Sequence, residues 1–318
     1  MRNFRLNRIT AALRQLTPAQ RKLVAAELAA LDAQPVSTRI AESRFAAGAV
    51  CPHCQSERAI RHGHGNGLQR YRCKDCRRTF TALTGTPLSH LHKRGLWLRQ
   101  AEALADGRSL RKVAADLGIH LGTAHRWRHR FLAAPERIQP PNLVGVTEVD
   151  ETYFLLSFKG KRQGFDRAPR KRGGRAAKRG LSIEQVPVLV ARDRSGATMD
   201  CVVSTANTVT LSAALKPFIP LDTVLCTDGS KSLAGVARAL GVEHHAINVS
   251  AGFRVDGPWH IQNVNAYHSR LKSWVAKFRG VATCYLTNYL GWFRAIDSAK
   301  GNGLKPAQWL AMAVGGSS

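Results

Sequence analysis

Residues 144–158 read VGVTEVDETYFLLSF, and the alternation within them decides what the second half of the chain builds. Period-2 alternation puts the side chain of Asp150 on the face opposite Val149 and Glu151 and on the same face as Glu148. The run is rich in β-branched and aromatic residues and follows Gly145, so it reads as a strand that carries acids into a sheet. Further strands follow in VPVLVARDRSGATMDCVVS (186–204), with a turn at Asp193 to Gly196, and in DTVLCTDGS (222–230). Helices are expected near 210–218 and 231–240. Strands first in meander and then alternating with helices predict a mixed α/β sheet.

Two aspartates stand out. Asp150 lies within the first strand, and Asp228 sits where DTVLCT breaks into a glycine turn, at the edge of the sheet. A long helix is predicted next, from HIQNVNAYHSRLK (260–272) onward. Val264, Tyr267, Leu271, Trp274, Val275 and Phe278 form its apolar face, with Asn265, His268, Ser269 and Lys272 on an adjoining polar one. Phosphodiester chemistry uses divalent cations held by oxygen ligands. A third carboxylate on this helix would complete such a site, and Asn265 stands there instead. A cap is the competing reading of Asn265. Asp256 in FRVDGPWH is the nearest substitute acid, although the glycine and proline after it suggest a turn.

Upstream the chain is modular. CPHC (51–54) and CKDC (73–76) are separated by 18 residues and supply Cys51, Cys54, Cys73 and Cys76 as four thiolates for a structural zinc ion, with short strands LQRYRC and RRTFTA nearby. His53, His62 and His64 fall in the same span and read as surface or DNA-facing residues. Cys201, Cys226 and Cys284 read as small buried side chains. In GRSLRKVAADLGIHLGTAHRWRHRFL (107–132), Ser109 is placed to cap one helix, Gly118 to make a tight turn, and Ala124, Trp127 and Phe131 to give a second helix its apolar stripe. This is a helix-turn-helix pattern that leaves Thr123, Arg126 and Arg130 to meet DNA; a plain helical hairpin with a solvated basic face is the alternative. Residues 3–33 read as helix, started by Thr17-Pro18, and the Pro-rich AAPERIQPPN reads as a linker.

The formal net charge of +27, from 48 Lys and Arg against 21 Asp and Glu, points to a polyanion partner, with a merely basic soluble or ribosomal surface as the alternative. Residues 159–180 hold ten Lys or Arg and one acid, Asp166; Lys171, Arg172, Lys178 and Arg179 are candidate phosphate contacts in this loop. No apolar run of about 18 residues suggests a membrane span. No signal peptide is read at the N-terminus, and the cysteine pattern is one of metal binding in a reducing compartment.

Taken in order, YRCKDCRRTFTALTGTPL, VDETYF, CTDGS and HIQNVNAYHSRLK resemble the zinc-ribbon transposases of bacterial insertion sequences, those of insertion-sequence family 1595 with an ISXO-like catalytic domain. The resemblance runs from about residue 15 to 298. It implies an RNase H-like domain that cuts the ends of a mobile element and joins them to a target, using Mg2+ or Mn2+, two ions in the usual scheme. By position, Asp150 corresponds to the first catalytic acid, Asp228 to the second and Lys272 to a lysine of the same motif, while His260 matches a histidine before it. Asn265 occupies the slot where many members have Glu, which places the chain in an Asp-Asp-Asn-Lys subgroup with Asp150, Asp228 and Asn265 as the magnesium ligands. An amide oxygen is adequate for this, since magnesium commonly takes one or two carboxylates and fills the other positions with water. The implied partners are double-stranded DNA, as terminal inverted repeats and target, and further copies of the chain in a homodimer or larger assembly, located in the cytoplasm with the nucleoid. A regulator that keeps the fold without catalysis, or an endonuclease without strand transfer, would use the same residues.

The expected organisation is an N-terminal helical segment (1–47), zinc ribbon (48–92), helix-turn-helix (93–134), linker (135–145), RNase H-like catalytic domain (146–300) and C-terminal tail (301–318).

Overall fold

In this computed structural model the chain forms two compact units, Met1–Ala134 with Gly303–Ser318, and Pro135–Asn302. The structure describes residues 2–161, 163–164, 174, 176–177, 182–248, 251–299 and 303–315. Lys171, Arg172, Lys178 and Arg179 lie outside the described residues.

The first unit opens with helices α1 (Arg2–Arg14) and α2 (Pro18–Glu42). The single helix expected over 3–33 is thus two, because Thr17 starts a new one: its hydroxyl accepts from the Gln20 amide and the Gln20 side chain accepts from the Thr17 amide. This reciprocal box satisfies two donors that a helix start leaves orphaned, and Pro18 follows at a position where no amide hydrogen is needed. Strands β1 (Ala59–Gly65), β2 (Leu68–Cys73) and β3 (Thr79–Thr81) make an antiparallel sheet. Phe45, Tyr71 and Phe80 pack over it with ring centroids 5.4 to 5.8 Å apart. Helices α3 (Trp97–Ala105), α4 (Leu110–Leu117) and α5 (Leu121–Arg137) follow. Ser109 caps α4, and Gly118 ends it with φ +64°, a backbone state that glycine adopts without steric penalty. The final stretch is not a simple tail, since residues Pro306–Gly315 form a helix that buries Trp309, Leu310, Ala313 and Val314 within this unit.

The second unit is built on β4 (Val146–Leu155), β5 (Gln185–Asp193), β6 (Thr198–Val202), β7 (Val224–Thr227) and β8 (Glu243–Ala246) in the order β6-β5-β4-β7-β8. Pairing is antiparallel from β4 to β5 and from β5 to β6, and parallel from β4 to β7 and from β7 to β8. Only β5 is reversed, which gives the mixed α/β sheet that the alternation of strands and helices predicts. Helices α6 (Thr208–Leu215) and α7 (Lys231–Leu240) cover one face. Val149, Leu189, Ala191, Met199 and Leu225 meet Leu211, Leu215, Leu233 and Val236 there in an apolar core. A short hairpin, β9 (Val255–Asp256) and β10 (Trp259–His260), leads into α8 (Gln262–Ala276), and α9 (Leu286–Ser298) follows.

The face under α8 and α9 is polar. Register along the sheet places Glu148, Asp150, Val190, Arg192 and Asp200 together on it. Arg294 of α9 reaches the buried carboxylate of Asp200, which also accepts from the Tyr267 hydroxyl at 2.5 Å. Arg192 pairs with Asp297 at 2.9 Å. Burial lowers the Arg294 pKa to about 10, so the guanidinium remains charged at neutral pH.

The Pro-rich segment is not a free linker. Leu143 is fully buried in the core, its amide donates to the Phe218 carbonyl, and the Gln139 side chain donates to the Asp200 carbonyl. Proline removes donors and biases the chain toward extended forms, but the carbonyls and Leu143 still dock.

Gly291 in α9 runs against the backbone of Pro135 and Glu136, and a Cβ there would stand 2.5 Å from the Glu136 Cα. Gly→Ala inside a helix ordinarily stabilises by about 1 kcal/mol. At Gly291 the sign should reverse, with Gly291→Ala destabilising by about 1–3 kcal/mol in urea unfolding followed by circular dichroism. Stabilisation would show that the backbones separate readily.

Candidate active site

The two aspartates meet across neighbouring parallel strands. Glu148 pairs with Cys226, so continuing the register by two residues brings Asp150 level with Asp228, one residue beyond β7. The chain leaves β7 through Gly229, at φ +79°, and the Asp228 carboxylate accepts from the Ser230 amide at 2.9 Å. Ser230 then caps α7. This is an Asx turn that holds Asp228 exposed at the sheet edge, while Asp150 is largely buried.

The two carboxylates lie close enough for the Asp228 charge to act on Asp150. Burial first, and then the Asp228 charge, push the Asp150 pKa up to about 7; the Glu151 amide and Lys272 act against the rise. Glu151 is also raised to about 7, by burial and then by Asp150 and Asp228. Lys272 is exposed on α8 and close enough to act on both Asp150 and His268.

Glu148 sets where α8 begins, and its importance was not read from the sequence. Its fully buried carboxylate accepts from the Val264 amide and from the Asn263 side chain, each at 2.9 Å. Arg194 stands 2.7 Å away, and His260 Nδ1 stands 3.2 Å away. The legible signal was period 2, which put Glu148 on the face of Asp150; the groups that neutralise it come from far along the chain.

Asn265 is exposed in the second turn of α8, and among the described residues its side chain has no hydrogen-bond partner. It is not a cap: Ile261 holds the N-cap position and Asn263 makes the contact to Glu148. Asn265, His268 and Lys272, spaced i, i+3 and i+7, share a helix face. Asp256 lies exposed in the β9–β10 hairpin, with the expected turn at Gly257. His268 departs from expectation. It belongs not to the solvated face but to the interior, 7% exposed, with Nδ1 3.7 Å from an Asp150 oxygen. Burial and Lys272 push its pKa down to about 4.

In the first unit the sulfur atoms of Cys51, Cys54, Cys73 and Cys76 all lie within 4.8 Å of one another, with Cys51–Cys76 and Cys54–Cys73 at 3.6 Å. Tetrahedral zinc with Zn–S bonds of about 2.3 Å sets its sulfurs about 3.8 Å apart, so the donor set fits zinc. His53, His62 and His64 are exposed. Of the other cysteines, Cys226 is buried, Cys201 half-buried and Cys284 exposed, the last against expectation.

Ala124, Trp127 and Phe131 are buried in the helical part, as their spacing predicted. Arg126 is exposed on α5 and Thr123 half-buried. Arg130 is engaged internally, donating to the carbonyls of Pro87 and Ser89 at 3.1 and 2.8 Å.

Three family models match the chain: an ISXO2-like transposase domain over residues 142–294, a transposase zinc-ribbon domain over 36–79 and a homeodomain-like domain over 92–136. A protein of transposable element ISH50 from Halobacterium salinarum is 29% identical over 259 residues, 80% of this chain and 87% of that protein. The InsA protein of insertion element iso-IS1N from Shigella dysenteriae is 38% identical over 77 residues, 24% of this chain and 82% of its own length. Among solved structures, a pre-cleavage Mos1 transpososome aligns over 70% of this chain and 79% of that chain at 12% identity, with a TM-score of 0.20.

The raised Asp150 pKa has a sign that can be measured. A carboxyl lifted from 3.8 to about 7 contributes stability that is present below pH 3.8 and lost as pH rises through 7. In metal-free protein at pH 8, Asp150→Asn should therefore be more stable than the parent by roughly 2 kcal/mol, and the difference should vanish near pH 4. Denaturant titrations at the two pH values test this; equal stability at both pH values would contradict it.

Proposed function

The chain belongs to the transposases of insertion-sequence family 1595, joining a transposase zinc ribbon to an ISXO2-like transposase domain, and from that premise we propose that it cuts element ends and joins them to target DNA. One observation carries the reading: a buried Asp150 lies beside Asp228 on adjoining parallel strands, with Lys272 of α8 close to both Asp150 and His268. Burial and the neighbouring Asp228 charge raise the cost of ionising Asp150, an arrangement that serves a cation better than it serves the empty fold.

Asp150, Asp228 and Asn265 are the residues that would hold Mg2+ or Mn2+, in an Asp-Asp-Asn-Lys set. When bound, such ions supply positive charge to the attacking and leaving oxygens of a phosphodiester. The residues of the chain do the rest. The turn at Gly229 presents Asp228 at the surface, where DNA has access, and Glu148 fixes the start of α8, on which Asn265 and Lys272 share the helix face of His268, beside Asp150. Lys272 is a point charge suited to a phosphate oxygen, and Asn265, being neutral, orients ligands without acting as a base.

The ribbon (48–92), closed by zinc on its four cysteines, and the helix-turn-helix (93–134) would recognise the terminal inverted repeats, with Thr123 and Arg126 of α5 meeting DNA and Arg130 serving mainly the fold. The basic loop, through Lys171, Arg172, Lys178 and Arg179, would contact phosphates without reading sequence. Joining two ends to one target calls for a homodimer or larger assembly on DNA. No helix among the described residues is long and apolar enough to cross a membrane. The reading places the chain in the cytoplasm, on the nucleoid.

Incubating the protein with labelled element-end DNA and Mn2+ should give nicked and joined products. Asp150→Ala and Asp228→Ala should lower both by at least about 1,000-fold with DNA binding retained, and Asn265→Ala by roughly 10- to 100-fold. Binding without nicking in the parent would favour a regulator, and nicking without joining an endonuclease. Undiminished cutting by Asn265→Ala would remove that residue from the site.

Cys73→Ser should release zinc, measured by metal analysis, and abolish end binding while leaving the catalytic unit folded. Full end binding without zinc would refute the role given to the ribbon.

A further inference from the structure

Resting on the reading that Asp150 and Asp228 hold the catalytic cation, we propose that His268 is a further ligand of that cation, so that the centre offers an imidazole nitrogen beside carboxylate and amide oxygens. The motif that suggested oxygen ligands gave His268 no part.

Two observations are independent of each other. The first is an unsatisfied buried group: His268 is 7% exposed, and among the described residues its Nε2 has no hydrogen-bond partner. Leaving a buried polar atom unpaired typically costs about 1–3 kcal/mol, and such atoms in folded proteins call for a partner or a role. The second is the geometry of Nδ1, the nitrogen beside Asp150 and the one that would take the cation; with Nε2 unpaired as well, the imidazole makes no hydrogen bond among the described residues that coordination would break. Nδ1 stands 3.7 Å from the Asp150 Oδ2, beyond hydrogen-bond length. With metal–ligand bonds of about 2.1 Å, two ligand atoms on one ion lie roughly 3–4 Å apart, so the spacing suits a shared cation. Helix phase adds that Asn265 and Lys272 share the His268 face.

The chemistry has a consequence. Nitrogen donors favour first-row transition ions over magnesium, which prefers oxygen. A nitrogen ligand also offsets part of the attraction lost where an amide stands in place of a carboxylate. The centre should therefore prefer Mn2+ to Mg2+ more strongly than an all-oxygen site does.

The test uses full-length, zinc-loaded protein and Mn2+ as the probe. Binding is followed by electron paramagnetic resonance, and directly coordinated nitrogen by pulsed measurement of its modulation of the manganese signal. The parent should bind Mn2+ with nitrogen modulation, and Asp150→Ala should lose that binding. His268→Phe should lose the modulation and bind Mn2+ at least about tenfold more weakly, given that even outer-sphere partners of metal sites are worth about 10–100-fold. His268→Gln, which keeps a polar donor of similar reach should His268→Phe fail to fold, should bind without the modulation. Mn2+ bound in an Asp150-dependent way but without nitrogen modulation, or with modulation that persists in both His268 variants, overturns the role of His268 and leaves the carboxylate site standing. Absence of any Asp150-dependent Mn2+ binding overturns both.

Discussion

The buried carboxylate of Glu148 is the constraint on which the second unit depends. It sits on the central strand and binds the first turn of α8, so sheet and helix are locked two residues from Asp150. A carboxylate at a helix N-terminus is favoured by the helix dipole and by amides that would otherwise lack partners. Hydrogen bonds to a charged acceptor contribute about 1.5–3 kcal/mol each, more than neutral ones. Arg194 and His260 supply compensating donors, without which a fully buried acid would be destabilising.

The rest of that sheet face follows the same logic. Asp200, two strands away, is met by Arg294 and Tyr267, and Arg192 is met by Asp297. Polar groups this deep are tolerated because nearly all their bonding capacity is used, and they specify one docking of α8 and α9 where an apolar face would accept several. The opposite face, with Val149, Leu225 and Leu233, is apolar and needs only volume and shape. One side of the sheet thus supplies cohesion and the other supplies position.

That division explains which parts could be read from the sequence. Strand β4 was legible because its alternation matches a sheet with two different faces, and the cysteine knuckles were legible because spacing alone determines them. The caps at Thr17 and Ser109 were equally local. What escaped were properties set by contacts distant in sequence. His268 shares the polar stripe of α8 with Asn265 and Lys272, yet it is buried because Asp150, 118 positions earlier, lies beneath it. Arg130 has the phase of a DNA-facing residue but bonds carbonyls more than forty positions away. Leu143 sits among prolines that mark a linker, and its own apolar side chain draws the segment into the core.

The same electrostatics give a reason for an amide at position 265. Asp150 is already held near pKa 7 by burial and by Asp228, with Glu151 raised beside it, so the metal-free site carries more carboxylates than it can comfortably ionise. A glutamate on the helix face above would add another like charge, push Asp150 further up and draw Lys272 into charge pairing. In the proposed site asparagine would keep an oxygen ligand of similar reach without that burden, leaving Lys272 available for a phosphate. The loss would fall on cation affinity, and a neutral nitrogen donor, the part proposed for His268, would offset it without returning negative charge to the site. In the proposed site Asn265 and His268 would be linked choices: the exposed amide would limit repulsion in the empty site, and the buried imidazole would restore affinity in the filled one.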